Sequence, residues 1–363
     1  MLILDNPTIS KVLTMEMTMA ALEASYLGIA RGTATCRPRI DISIPTSDPG
    51  RTYRWGTMEG GSTDGYFAIR MKSDIIHYET NPDGSRRQEK FCHEPGLFCG
   101  LILLTSVETG TPLAFINDGV LQHLRVGADG GLGVKYMARD DAEVVGMLGS
   151  GGMANTFMMA ICTARPIRKL QVFSPTPARR EDFAARMRAR HGIEVQVCDA
   201  PDLVYRGADI VAGCTNATAP VLDGDLLESG THVLNVGAGG LPDARTLERV
   251  DAYLRFGDTP NAEGMDAPIS DEHLTWKVRR AGETAKAKRA HGVMLPEKRV
   301  TLAELASGAR PGRTNDDQIT WSERGNLQGA QFFAVAGAAY EAAVAQGLGR
   351  EIPTEWFLQD VRN

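Results

Sequence analysis

No window of this chain approaches the roughly 18 uninterrupted apolar residues of a membrane span, so no spanning helix and no membrane partner are expected. The start, Met1-Leu2-Ile3-Leu4-Asp5, has no basic region and no long apolar run, and no signal peptide is expected. Basic residues are not in excess: 39 Lys and Arg face 45 Asp and Glu, a net charge of −6, which argues against a nucleic-acid or membrane-surface partner. Cysteine is sparse and scattered, at Cys36, Cys92, Cys99, Cys162, Cys198 and Cys214, with no C-x-x-C pair. Free thiols in a reducing cytoplasm are therefore expected, not a disulfide framework. Cys92, His93 and Cys99 match no common metal spacing, and no metal is expected. Repeats and low-complexity tracts are also missing. What remains is a globular composition, 43% hydrophobic and 23% charged, long enough at 363 residues for two domains.

The most informative stretch is Val144-Val145-Gly146-Met147-Leu148-Gly149-Ser150-Gly151-Gly152-Met153-Ala154. An apolar run breaks into glycines and resumes as a helix, the pattern of the first strand, turn and helix of a dinucleotide-binding βαβ unit. Gly149 lets the chain turn, Gly151 lets the backbone approach a pyrophosphate, and Ala154 allows close helix–strand packing. Free amides at the helix start, with Ser150, Gly152 and Met153, would hold phosphate charge. The second strand, Leu170 to Phe173, ends in Ser174-Pro175-Thr176-Pro177 and then Arg179 and Arg180. No acid stands there for ribose hydroxyls, while hydroxyls and guanidiniums suit a 2′-phosphate, which favours NADP(H) over NAD(H). The alternative is that both arginines lie on the solvated face of a helix from Arg179 to His191. Thr215, Val236 and Gly237, after the fourth and fifth strands, complete the candidate cofactor set.

Periodicity organises the rest. Thr14 to Arg31 reads as a helix with Met17, Ala20, Ala21, Ala24 and Leu27 on its core face and Gly32 closing it. Short strands follow at 39–44, 65–71, 75–78 and 100–105, an antiparallel-type region punctuated by turns at 82–84 and 109–112. A long helix, 121–138, leads into strands at 144–148, 170–173, 194–198, 210–214, 232–236 and 252–256, the alternation of a parallel sheet. Residues 258–296 are polar and charged, with helical pieces, and do not resolve into placed elements. An Ala-rich helix spans 325–347.

Several blocks, in order, resemble the ornithine cyclodeaminase/μ-crystallin family. They are Gly110-Thr111-Pro112-Leu113-Ala114 with Asp118-Gly119, Leu124-Arg125-Val126-Gly127-Ala128 leading to Lys135-Tyr136-Met137-Ala138-Arg139, and the glycine turn. Ser229 to Ala238 and Gly312 to Thr320 continue the match. The resemblance implies an α/β fold, a Rossmann-type parallel sheet domain inserted into a smaller α+β substrate and dimerisation domain. Residues 121–324 would form the first, 1–120 with 325–363 the second, in a homodimer. It also implies that Arg39 (with Arg37 a near competitor), Lys72 and Arg125 bind a substrate carboxylate. The chemistry agrees, because a small amino acid needs cations to fix its carboxylate so that Cα faces a nicotinamide. Lys72 would also protonate or orient the imine nitrogen.

Two departures stand out. Cyclodeaminases of the family place an Asp in the loop after the fifth strand, where this chain has Gly239 or Gly240. Asp243 is the nearest replacement as a catalytic base, and it also suits a helix cap. The 258–296 segment and Trp321 to Asn326 differ from the family's usual wording; His273, Trp276, His291 and Glu323 there are candidates for the site or for surface contacts. The expected activity is NAD(P)H-dependent imine reduction or amino-acid dehydrogenation at Cα. The alternatives are an ornithine cyclodeaminase-type ammonia lyase with bound NAD, and a non-catalytic nucleotide-binding accessory protein.

Overall fold

Apolar runs separated by helix-compatible segments close into a parallel sheet. In the computed structural model, which describes residues 1–63, 65–80, 86–217, 219–236, 242–264, 273–284 and 295–361, eight strands form this layer. Their order is Glu194–Val197, Lys169–Phe173, Val144–Leu148, Ile210–Gly213, His232–Asn235, Thr320–Glu323, Ala252–Arg255 and Arg299–Thr301. Every pairing is parallel. The chain order reverses at Val144–Leu148, so a crevice opens at the carboxyl ends of the strands beside it.

All six strands read from the sequence are present. The Thr320–Glu323 strand was not anticipated, because Thr-Trp-Ser-Glu is too polar to read as a buried strand. Its polar groups are satisfied sideways: His232 Nδ1 lies 2.9 Å from Thr320 Oγ1 and Nε2 3.2 Å from Ser322 Oγ, and Thr320 donates to the Met137 carbonyl at 2.9 Å.

The second sheet runs His273–Lys277, Arg39–Pro45, Thr52–Ser62, Tyr66–Thr80, Cys99–Ser106, Pro112–Asn117, Leu2–Leu4 and Arg350–Glu351, with Ala34–Cys36 and Arg86–Phe91 attached to its long central strands. It is antiparallel except where Leu2–Leu4 meets Pro112–Asn117 and His273–Lys277 meets Arg39–Pro45. The strands expected at 65–71 and 75–78 are one strand, Tyr66–Thr80. Lys72 and Asp74 between them pair with each other on the inner face, so the polar triplet 72–74 does not interrupt pairing. Residues 258–296, unplaced from sequence, contribute the edge strand His273–Lys277 to this sheet.

The helix Met15–Arg31 is closed by Gly32 at φ +74° as expected, with Thr14 as its N-cap and not its first turn, but its core face differs. Met15, Met19, Leu22 and Tyr26 are buried, whereas Ala20 and Ala24 are exposed. The larger apolar side chains remove more surface from water, and they decide the rotation of the helix. They meet Ile102, Ile116, Leu121 and Phe332 in one core, which the helices Asp118–Met137 and Gln328–Ala345 complete. The helix Asp118–Met137 also packs on Gly152–Ala164 of the nucleotide layer. A Cβ at Gly130 or Gly131 would crowd Phe157 and Ala160.

Candidate active site

The glycine turn has the geometry that its spacing predicts. Gly149 sits at φ +114°, and a Cβ there would overlap the Cys214 carbonyl. Gly151 is the N-cap of the helix Gly152–Ala164, with no side-chain cap and nothing within 4 Å of where a Cβ would stand. The first amides of this helix are thus unshielded, which fits an anion such as a pyrophosphate. A groove of about 1160 Å³ opens in front of them. Gly149 to Met153, Ser174, Thr176, Arg179, Thr215 and Val236 all line it, and Gly237 lies outside the described residues. Thr176 begins the helix Pro177–His191 without a side-chain cap, leaving a second helix start open beside Arg179. Arg180 is committed elsewhere, to Asp199 at 2.7 Å and the Phe173 ring.

Asp243 also lines the groove, but its Oδ1 accepts from Thr246 N at 2.7 Å and Gly224 N at 3.1 Å, capping the helix Ala244–Arg249. Burial alone would raise its pKa; those hydrogen bonds outweigh it and hold the carboxyl below the usual range. Its Oδ1 is engaged in structure.

The cation candidates come from the other sheet. Lys72 projects from the inner face of Tyr66–Thr80, flanked across the ladder by Gly56 and Gly100. The missing side chains make room for charged neighbours. A Cβ at Gly56 would press on Asp41 and approach Arg39, and one at Gly100 would overlap the Asp118 carboxylate. Arg39 donates to Asp41 at 2.8 Å, whereas Arg37 turns to Glu59. Lys72 pairs with the buried Asp74. Burial and the Lys90 charge pull the Lys72 pKa down to about 7, against the pull of Asp74.

Arg125, on the helix Asp118–Met137, is buried at 3% exposure. It donates to Gln122 Oε1 at 2.8 Å and to Gln331 Oε1; Gln331 in turn donates to Tyr26 and Asp129, both at 2.6 Å. Burial first, then the Arg324 charge, lowers the Arg125 pKa to about 9. Its guanidinium lies 4.9 Å from the Phe332 ring centroid, and Arg70 lies 5.4 Å from the same ring. Arg70 and its partner Asp118, at 2.6 Å, were not singled out from sequence. The signal was present in Arg70, Lys72 and Asp74, charges two residues apart on one face of a strand.

A smaller cavity beside Arg125 is lined by Val126, Asp129, Asn235, Val236, Glu323 and Arg324 among others. Val236 lines both cavities, so the smaller one, with Asp129 and Arg324 in its lining, adjoins the nucleotide groove. Glu323 accepts from Tyr253 and from Arg255 at 2.8 Å. Trp276 is 55% exposed on the edge strand it shares with His273, and His291 lies outside the described residues.

A doubly wound sheet with an open glycine turn, facing a second sheet that carries buried cations, defines a two-layer dinucleotide-binding protein. The chain belongs to the ornithine cyclodeaminase/mu-crystallin family, whose sequence model matches residues 97–346. It is similar to the Delta(1)-pyrroline-2-carboxylate reductase of Bacillus cereus, 29% identical over 254 residues, covering 70% of this chain and 74% of that protein. It is also similar to the alanine dehydrogenase of Archaeoglobus fulgidus, 26% identical over 353 residues, covering 97% and 98%. Among solved structures, Thermococcus litoralis Delta(1)-pyrroline-2-carboxylate reductase in complex with NADH and L-proline superposes with a TM-score of 0.72 at 23% identity, covering 97% of this chain and 100% of that one.

Proposed function

We propose that this protein is an NAD(P)H-dependent imine reductase or amino-acid dehydrogenase acting at the Cα of a small amino or imino acid. The observation that carries the reading is the open glycine turn with its nucleotide-sized groove, beside which the second sheet supplies Lys72, on the strand it shares with the buried Arg70 and pulled down to about 7 by burial and the Lys90 charge. A bound nicotinamide supplies the hydride for Cα. Arg125, with Arg39, fixes the α-carboxylate, and positioning supplies most of the rate. Lys72 gives its proton to the imine nitrogen as the C=N bond becomes C–N, and takes one back in the reverse direction. Asp243 serves as a helix cap and leaves cyclisation without a base. The groove's Ser174, Thr176 and Arg179, with no acid at the end of the second strand, support NADP(H) as the favoured cofactor. The names of the two relatives support the same class of reaction. We read residues 121–324 as the inserted nucleotide domain, 1–120 with 325–363 as the substrate and dimerisation domain, and the assembly as a homodimer.

The test follows absorbance of the reduced cofactor with cyclic imines and with 2-oxo acids plus amines, while ammonia release from ornithine and lysine is measured in parallel. Stoichiometric oxidation, faster with NADPH than NADH, is the expected result. Ammonia from ornithine with no net cofactor change would replace this reading with the lyase.

A further inference from the structure

The charges around the cleft do not balance. Arg39, Lys72 and Arg70 each have a carboxylate, from Asp41, Asp74 and Asp118. Arg125 has none among the described residues, since its N–H groups end on the neutral amide oxygens of Gln122 and Gln331. The neighbouring Asp129 engages its two oxygens with Tyr26 and Gln331, and burial raises its pKa. Arg324 has no ion pair among the described residues either, although its charge acts on the buried Asp129. It follows the strand Thr320–Glu323 at the carboxyl end of the parallel sheet, where it lines the smaller cavity with Asp129, Asn235 and Val236. Its Nε is buried and, among the described residues, has no hydrogen-bond partner. Glu323 beside it is taken by Tyr253 and Arg255.

A buried guanidinium N–H with no acceptor among the described residues is open to one from a bound ligand. Arg324 is also the strongest charge acting on Arg125, so the two cations share one small region. One α-carboxylate answers one of them and leaves the other.

Building on the reductase reading above, we propose that Arg324 receives a second carboxylate on the substrate's side chain, so that the preferred substrates are imino and amino dicarboxylic acids. Arg125 and Arg324 stand on different elements, the helix Asp118–Met137 and the end of a strand of the parallel sheet. In the proposed complex each grips one end of such a substrate. The groups that set the reaction itself, Lys72 and Arg125, are separate from the one that sets the side chain.

The experiment compares kcat/KM for oxaloacetate and 2-oxoglutarate, each with ammonia, against pyruvate with ammonia and pyrroline-2-carboxylate. Wild type is expected to favour the dicarboxylates by about tenfold or more, and Arg324→Gln to lose about 100-fold on them while changing the monocarboxylates by less than about threefold. Arg324→Lys is expected to recover part of the loss. Melting without cofactor supplies an independent reading: succinate and glutarate raise the Tm of wild type and not of Arg324→Gln, and propionate raises neither. Monocarboxylate preference in wild type, or an equal loss on both classes in Arg324→Gln, overturns the inference and leaves the reductase standing. No turnover with any substrate overturns the reductase reading, and the melting comparison then decides Arg324 by itself.

Discussion

Lys72 owes its properties to what surrounds it. Glycines on both neighbouring strands let carboxylates lean toward it, the sheet buries its stem, and Lys90 repels its charge. In the role proposed for it, Lys72 with a pKa of about 7 donates from its protonated form. Reductive kcat/KM is therefore expected to fall as pH rises through about 7, and the oxidative direction to rise over the same range. Lys72→Met should lower reductive kcat/KM by about 100-fold or more and abolish that pH step, while cofactor binding measured by fluorescence titration stays within about threefold. A pH step that survives the substitution would assign the proton to another group. Arg39, Lys72 and Arg125 were legible from sequence only through the resemblance to the family. Arg70, Asp118 and Arg324 were not, because their partners come from distant elements and only the folded chain shows which cation is left without a carboxylate.

At the scale of elements, two glycines of one turn do different jobs. Gly149→Ala places a side chain at φ +114° against the Cys214 carbonyl, and a loss of about 2 kcal/mol or more is expected, read as a fall in Tm. Gly151→Ala adds a Cβ that meets no protein atom at an ordinary φ of −82°, so Tm should hold while affinity for NADPH drops. Equal effects of both on Tm would mean that the turn is structural alone. Six strands and this turn could be read from the chain because apolar runs and glycines are local signals. The strand Thr320–Glu323 could not, since it depends on His232 across the sheet to satisfy its hydroxyls. The span and end of the helix Met15–Arg31 were legible, but its rotation was not, because alanine spacing carries less burial energy than Met15, Met19, Leu22 and Tyr26. Nor did Lys72-Ser73-Asp74 end a strand, as its polarity suggested; an ion pair within the sheet let the ladder continue.

At the scale of the molecule, the face of the second sheet opposite the cations carries apolar side chains that stay exposed among the described residues of the single chain. Ile42, Ile44, Leu101 and Trp276 stay 39%, 42%, 40% and 55% exposed, with Trp276 directly beside Ile42 in register. Such a patch fits an interface. Light scattering is expected to give twice the 39.2 kDa of one chain, and Ile42→Glu to shift the protein toward the monomer without changing its far-ultraviolet circular dichroism. A wild-type monomer would remove the dimer from the proposal. None of the described helices is long and apolar enough to cross a membrane.

The lateral position of Thr320–Glu323 also sets a timetable. His232–Asn235 and Ala252–Arg255 are made early, but neither touches the other in the finished sheet; a strand synthesised some 65 residues later wedges between them. Until that strand leaves the ribosome, both partners expose open edges, and a nascent chain ending near residue 257 carries an unfinished sheet. Arg324 directly follows this late strand, so the parallel sheet closes and Arg324 takes its place in the same step.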